Sequence, residues 1–332
     1  MNSRAARNPF ISVVIPLRNE ARYIEACLTG IYSQSYPLSM TEVVVVDNCS
    51  DDGSYEAASA LIASHPTGQI VRFEGSSIGA VRNFGFGLTK GEIVAFLDGD
   101  SVPDPNWLDS VATAFSHQPE TGCIGFAMKR PGDGVPWFVR DWFEVTDGQR
   151  SHGVASVDWV PSFNLAVRRE LFEAIGGFDE VLIAGEDFDL GHRLAERSDV
   201  IRSDQSFVDH LGTTDDLISF FRKERWRGLG TVGLLALREN RLKVAARLAI
   251  PMFYVFACFS TPIVLALVGI QRLNIQVVIP GLVAVVGIPV VLALRSRVSG
   301  IGRRIRVAFL YSLFLFARGL AAYEALWKAV AG

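Results

Sequence analysis

Two carboxylates one residue apart close an apolar run in the stretch AFLDGD, residues 95–100. Asp98 and Asp100 admit two readings there. Hard oxygen ligands of this kind suit Mg2+ or Mn2+, which usually take one or two protein carboxylates and complete their shell with phosphate oxygens and water. Acidic residues also end strands simply because they favour turns. Gly99 between them lets the backbone approach a ligand closely, which suits the first reading without deciding it.

Such a pair needs a scaffold, and the flanking sequence describes one. ISVVIP (11–16) and EVVVVD (42–47) are continuous β-branched runs, the pattern of strands buried on both faces of a parallel sheet. Between them Ile24, Leu28 and Ile31 fall at helical spacing. QIVRFE (69–74), a helix over about 77–88 and EIVAFLDGD (92–100) continue the alternation and predict a doubly wound α/β sheet. Ligands sit at the carboxyl ends of strands in such sheets, and Asp47 and Asp98 both fall at such ends. Beyond residue 120, strands are predicted around 122–127, 155–159 and 163–168, and helices around 169–175 and 187–196. The aromatic stretch PWFVRDWFEV (136–145) reads as core, with a lid or an interfacial helix as alternatives.

Composition divides the chain. Its 332 residues carry a formal charge of -3, and nothing in that balance points to nucleic acid. Apolar residues concentrate after about 245. The runs 249–270 and 275–294 carry no charge and are long enough for the roughly 30 Å of bilayer hydrocarbon. Pro251, Pro262, Pro280 and Pro289 within them are tolerated in membrane helices as kinks. A third candidate, 307–330, is interrupted by Arg318, Glu324 and Lys328, and either spans or lies partly at the interface.

Basic stretches bracket these runs, one with Arg238, Arg241, Lys243 and Arg247, the other with Arg295, Arg297, Arg303, Arg304 and Arg306. Only Arg272 lies between the first two runs. The positive-inside rule places both stretches, and residues 1–245, on the cytoplasmic side of a plasma (inner) membrane. The first apolar run, near residue 11, is too short for a signal-peptide core. Cys27, Cys49, Cys123 and Cys258 lack metal-type spacing, which disfavours zinc or a disulfide framework and fits a reducing compartment. The expected organisation is a cytosolic α/β domain over 1–235 and a membrane region of about three helices over 236–332.

Sugar transfer from a nucleotide donor with inversion needs a nucleotide pocket, a divalent cation on the diphosphate, a base for the acceptor hydroxyl and a place for the acceptor. SVVIPLRNE, VVVVDNCSDDGS, GAVRNFG, AFLDGD, FNLAVRRELFEAIGGFDE and GEDFDLGHRL follow one another in the order and rough spacing that resembles family 2 of the inverting glycosyltransferases, over about residues 10–230. The resemblance implies a GT-A fold, a Rossmann-like nucleotide-binding sheet flanked by helices. It also implies that Pro16, Asn19 and Glu20 line the nucleotide pocket and that Asp47 accepts from the base, usually uracil or guanine. Arg82 would lie beside the diphosphate, where an always-charged guanidinium fits. Asp98 would contact ribose or metal, and Asp100 would bind the Mg2+ or Mn2+.

By the same resemblance Asp187 takes the proton from the acceptor hydroxyl and Glu186 shapes the acceptor pocket. Both residues also read simply as favourable acids at a helix N-terminus. His210, at a strand end, would complete the metal shell or serve structurally. RKERW (222–226) resembles the Gln-x-x-Arg-Trp signature of processive polysaccharide synthases, with Arg222 where the glutamine stands. Arg225 would neutralise diphosphate and Trp226 would offer a sugar platform; an amphipathic helix facing the membrane is the other reading.

The expectation is therefore a membrane-anchored, metal-dependent inverting glycosyltransferase. It would move one sugar from a UDP- or GDP-sugar to a lipid-linked saccharide on polyprenyl diphosphate, in exopolysaccharide or cell-envelope assembly. Polyprenyl phosphate as acceptor and processive synthesis are neighbouring alternatives. A nucleotidyltransferase would need a Gly-rich basic loop that IPLRNEARYI does not supply. A catalytically dead nucleotide-binding scaffold would have lost Asp98, Asp100 or Asp187, and all three are present.

Overall fold

The computed structural model describes residues 8–146, 153–234, 241–269 and 274–331. Arg238 and Arg272 lie outside the described residues, as do the side chains of Arg241 and Lys243. The opening half alternates β1 (Ile11–Leu17), α1 (Ile24–Tyr32), β2 (Thr41–Asp47), α2 (Ser54–Ile62), β3 (Gly68–Arg72), α3 (Ile78–Gly87) and β4 (Ile93–Leu97). Then come β5 (Ser101–Pro103), α4 (Trp107–His117), β6 (Thr121–Met128), α5 (Trp137–Thr146), β7 (Ala155–Ser156), β8 (Asn164–Arg168), α6 (Arg169–Ala174), α7 (Glu186–Ala195) and β9 (Asp199–His210). The remainder is helical: α8 (Leu217–Gly233), α9 (Arg241–Gly269), α10 (Ile279–Leu282), α11 (Ile288–Arg295) and α12 (Ile301–Ala331).

The chain separates into two compact units. One comprises residues up to Lys129 together with Ser151–Gly212; the other comprises Arg130–Arg150 and Thr213 onward. The first holds a single sheet ordered β3-β2-β1-β4-β8-β6-β9-β5, with β7 added on β9. β1 to β4 pair in parallel, as do β6 and β9, whereas β8 runs antiparallel to both β4 and β6, so the sheet is mixed rather than parallel throughout.

The continuous apolar runs have a simple cause. Along β1, Ile11, Val13, Ile15 and Leu17 join one core with Ile24, Cys27, Leu28 and Ile31 of α1, and Trp107 and Val111 of α4. Val14 faces the opposite core with Val94, Phe96, Phe172, Phe178 and Leu190. Strands covered on both sides have no polar face to alternate, which is why the sequence shows none. β5 and α4 escaped the sequence reading because the strand is only three residues long, ends in Pro103 and is followed by Pro105. The strand expected over 155–159 is two residues long.

In the helical unit, three segments are long and apolar enough to cross a membrane: Arg247–Val268, Ile275–Arg295 and Ile301–Lys328. The middle one is not a uniform helix; a π-helical turn over Val283–Gly287 falls between Pro280 and Pro289, where missing amide donors displace the regular ladder. α12 is one continuous helix despite its charges. Small residues bring helices together: a Cβ at Gly228 would lie 2.7 Å from Ala321 Cβ, and one at Gly319 would overlap the Pro251 carbonyl oxygen. The stretch 136–145, left open by the sequence, forms α5, whose Phe138 and Trp142 pack with Phe220, Leu310 and Leu313.

Where α3 crosses the sheet, a Cβ at Gly85 would lie 2.6 Å from Val14 Cγ1 and 2.9 Å from Val46 Cγ2. Both valines are fully buried and have no room to retreat. Gly85→Ala is therefore expected to cost about 1–3 kcal/mol by overpacking, read as a lowered melting temperature of the purified chain. An unchanged or raised melting temperature would show that α3 can lift off the sheet at no cost.

Candidate active site

The carboxyl ends of β1 and β2 are stitched together by side chains. Asn19 and Cys49 both adopt left-handed backbone, with φ of 55° and 54°, a conformation that Asn tolerates and Cys rarely takes. Hydrogen bonds over-determine it. Asn19 N–H donates to Ser50 Oγ at 3.0 Å, and Asp51 N–H donates to Asn19 Oδ1 at 3.0 Å. Glu20 N–H donates to Ser54 Oγ at 2.7 Å, and Ala21 N–H to Asp52 Oδ2 at 3.0 Å. Asp47 is buried at the end of β2, takes the Ser50 amide on both carboxylate oxygens at 3.3 Å, and lies 3.4 Å from Arg72 Nε. Pro16 is buried within β1 opposite Val46; β1 pairs with β4 only as far as Val14, so its missing N–H breaks no bond of that ladder.

Three elements meet at Arg82. From α3 its guanidinium donates to Asp98 Oδ1, just after β4, and to Glu186 Oε1, the first residue of α7, each at 2.7 Å. Arg82 is 2% exposed, and its Nε is buried with no hydrogen-bond partner among the described residues. The guanidinium also lies 5.4 Å from the Phe178 ring centroid. Burial opposes its charge, but Asp98 and Glu186 outweigh that and hold it protonated more firmly than usual. Ser162 Oγ donates to the same Glu186 oxygen at 3.2 Å. The sequence did not reveal Ser162, nor Asn83, which holds the loop before α7 by donating to the Phe178 carbonyl and accepting its amide, each at 2.9 Å.

Asp187 follows Glu186 at the head of α7, beyond Gly185 in left-handed backbone at φ 84°. Its Oδ1 accepts the Phe188 amide at 2.8 Å. Burial first, and the Glu186 charge second, push its carboxyl up to about 6, while the Phe188 amide and Arg82 pull the other way. The helix N-terminus reading holds as well, since Glu186, Asp187 and Asp189 fill the first turn. What distinguishes Asp187 is its raised proton affinity and the absence of an ion pair to Arg82, which Glu186 takes.

Around Gly99 the acids converge. A Cβ there would overlap Glu20 Oε2, and a Cβ at Gly212 would overlap Asp100 Oδ2, so both glycines leave room for these carboxylates in their present positions. Glu20 Oε2 is buried with no hydrogen-bond partner among the described residues. Burial, then Asp100 and Asp98, push the Glu20 carboxyl up to about 9. Asp100 Oδ2 lies 3.7 Å from His210 Nε2, with β5 and β9 pairing Ser101 opposite His210. No group of three metal-ligating side chains is gathered among the described residues. The donors present, Asp100, His210 and the Asp98 oxygen turned from Arg82's bond, Oδ2, suit a hard divalent cation that draws its other ligands from a bound phosphate.

The RKERW residues belong to the helical unit. Arg222 and Arg225 on α8 are exposed, Trp226 is 45% exposed, and Arg225 is ion-paired with Glu324. The buried member is Glu224, which accepts from Arg318 Nε at 3.1 Å and Nη2 at 2.9 Å and pairs with Arg227. Of the charges that interrupt the third apolar run, Arg318 and Glu324 thus have partners on α8, and Lys328 pairs with Glu324 one turn away on α12.

Removing Arg82 would leave Asp98 and Glu186 facing each other's charge in a dry setting. Arg82→Met is expected to cost about 3–5 kcal/mol and to unfold at lower denaturant, with Arg82→Lys intermediate because an ammonium cannot fork between two carboxylates. Equal denaturant midpoints for wild type and Arg82→Met would contradict this role.

Comparison with known proteins bears on the family and the fold. Residues 12–176 match the family described as Glycosyl transferase family 2. The chain is 34% identical over 204 residues to glycosyltransferase AglE of Haloferax volcanii, covering 58% of this chain and 66% of AglE. It is 28% identical over 222 residues to validoxylamine A glucosyltransferase of Streptomyces hygroscopicus subsp. jinggangensis, covering 56% of this chain and 51% of that enzyme. The matched part is thus less than two thirds of the length of either relative. Among solved structures it is similar to the mannosyltransferase PcManGT from Pyrobaculum calidifontis in complex with GDP-Man and Mn2+, at TM-score 0.65 and 21% identity over 97% of this chain and 88% of that one. It is also similar to residues 1–349 of TarS from S. aureus in complex with UDP-GlcNAc, at TM-score 0.51 and 16% identity over 97% of this chain and 92% of that one. The sheet with its carboxylates after β4 and at α7, together with the match over 12–176, places this chain in glycosyltransferase family 2, on the GT-A fold.

Proposed function

We propose that the chain transfers a single sugar, with inversion, from a UDP- or GDP-sugar to a lipid-linked saccharide in the assembly of a cell-envelope or exported glycan. The observation that carries the reading is the division of labour at α7: Glu186 is bound to Arg82, while Asp187 keeps a raised proton affinity and partial access to solvent. In this reading Asp187 takes the acceptor hydroxyl proton as the acceptor oxygen bonds to the anomeric carbon. The bond from that carbon to the diphosphate breaks, and the nucleotide diphosphate leaves with the electron pair. One displacement without an enzyme nucleophile inverts the centre.

Asp47, Asn19 and Glu20 sit where the ends of β1 and β2 would flank a nucleotide base and ribose. Asp100 and His210, with Asp98 beside them, would hold Mg2+ or Mn2+, whose contribution when bound is to neutralise the leaving diphosphate. Support for the metal comes from the hard donor set and from the orphaned Glu20 oxygen in an excess of negative charge. Arg82 acts here by fixing Asp98 and Glu186 rather than by direct contact with phosphate.

The three helices, long and apolar enough to cross a membrane, support a membrane-anchored enzyme, with the arginine-rich stretches favouring a cytoplasmic face for the catalytic unit. Transfer of one sugar, rather than processive synthesis, is supported by Arg222 in place of glutamine and by the engagement of Arg225 with Glu324.

Detergent-purified chain supplied with membrane lipid extract is expected to release UDP or GDP from one member of a nucleotide-sugar panel, only with Mg2+ or Mn2+. Asp187→Asn should lower that release by roughly 10²- to 10⁴-fold without changing the melting temperature downward. Release undiminished in Asp187→Asn would remove the base from this scheme.

The same residue sets the pH profile. Asp187 acts ionised, and its raised value means it gains a proton on acidification earlier than an ordinary aspartate. The log of kcat/KM should therefore be flat above about pH 7 and fall with unit slope below about pH 6. A profile flat down to pH 4.5 would contradict the assignment.

A further inference from the structure

Five arginines, Arg295, Arg297, Arg303, Arg304 and Arg306, fall within residues 295–306, with no acidic residue among them, and the chemistry above uses none of them. Two of these are organised. Asp141 of α5, 3% exposed, accepts from Arg303 Nε on Oδ1 at 3.0 Å and from Arg306 Nε on Oδ2 at 2.7 Å. One carboxylate neutralises one cation, so a second full positive charge is left over. The two arginines are three residues apart on α12, and hence on one face. Their side chains remain 34% and 44% exposed, and their terminal amines make no hydrogen bond to protein among the described residues.

The setting is the end of the hydrocarbon-length helices. The apolar run of α11 ends at Leu294 and that of α12 begins at Val307, so the arginines lie where both helices would leave the bilayer. Arg306 lies over the Trp137 ring at 5.5 Å, and Trp142 packs on Tyr311 and Phe314, an aromatic collar of the kind found at lipid headgroup level. Arg304 is turned elsewhere, its Nε donating to the Val298 carbonyl at 3.1 Å.

We infer that Asp141 pre-orients Arg303 and Arg306 as a two-pronged receptor for the phosphate headgroup of an anionic membrane phospholipid. Holding each guanidinium by Nε fixes its plane and leaves the outer amines as a donor fork matched to a phosphodiester. The surplus charge favours an anionic lipid over a zwitterionic one, and the cytoplasmic leaflet is where such lipids and such arginines meet. This inference rests on the membrane reading of the three helices.

The test uses the full chain. Detergent-purified protein is titrated with short-chain phosphatidylglycerol, phosphatidylcholine or glycerol phosphate, and bound lipid is counted by native mass spectrometry. Phosphatidylglycerol is expected to bind at least tenfold more tightly than phosphatidylcholine, with glycerol phosphate failing to compete. Arg303→Gln with Arg306→Gln should bring the two lipids to near parity, whereas Arg295→Gln with Arg297→Gln should leave the preference in place.

A preference that survives Arg303→Gln with Arg306→Gln overturns the inference, as does equal binding of the two lipids by wild type. Full competition by glycerol phosphate overturns it in favour of a free-phosphate site. Should the double variant fail to fold, a photoactivatable phosphatidylglycerol on wild-type protein decides: crosslinks within 137–146 or 301–310 support the site, and crosslinks only elsewhere overturn it. Wild type that fails to insert into phosphatidylcholine nanodiscs refutes the membrane reading itself; insertion without headgroup preference refutes only the receptor.

Discussion

The fold of the catalytic unit turns on a single buried cation. Arg82 is out of water and bonded to two carboxylates from elements that the chain brings together across 16 and 104 residues. A guanidinium in that position is tolerable only while both acids are present, and each acid is tolerable only with the guanidinium. The interaction therefore fixes the end of β4, the middle of α3 and the start of α7 relative to one another. Those are the places from which Asp98 and Asp187 project, so an interaction that contributes little net stability gives the unit its geometry.

The same arrangement gives two neighbouring acids different surroundings. Glu186 spends its charge on Arg82 and Ser162, whereas Asp187, one residue on, feels Glu186 mainly as a repulsion. Burial and a neighbouring charge can raise the proton affinity of one carboxylate, the general route by which a site comes to hold a base. Around Gly99 the compensation is partial. Arg82 answers Asp98, yet burial and the charges of Asp100 and Asp98 still raise the Glu20 carboxyl, one oxygen of which is buried with no hydrogen-bond partner among the described residues, a local cost that is consistent with a site completed by something positive.

How much of this was legible in the sequence depended on range. β1, β2 and β4 announced themselves because strands covered on both faces must be apolar throughout, and the apolar helices because hydrocarbon allows no charge. Asp98, Asp100 and Asp187 stood out as acids at element ends. The role of Arg82 did not, since a guanidinium on a helix looks alike whether it faces water or two distant carboxylates. α12 was hard for the same reason: Arg318 and Glu324 read as interruptions until Glu224 and Arg225 of α8 supplied their partners. In RKERW the tryptophan and arginines that carry the resemblance are exposed, while the buried residue is the glutamate between them, whose partner Arg318 lies 94 residues away.

The measurement that bears most directly on the central claim is Mn2+ binding to the purified full chain, followed by electron paramagnetic resonance with and without UDP or GDP. If the acids after β4 form a donor site shared by metal and diphosphate, one nucleotide should tighten Mn2+ binding at least tenfold in wild type, and Asp100→Asn should abolish that coupling while leaving the fold intact. Nucleotide binding of equal affinity with Mn2+ and with chelator, in wild type and Asp100→Asn alike, would contradict it.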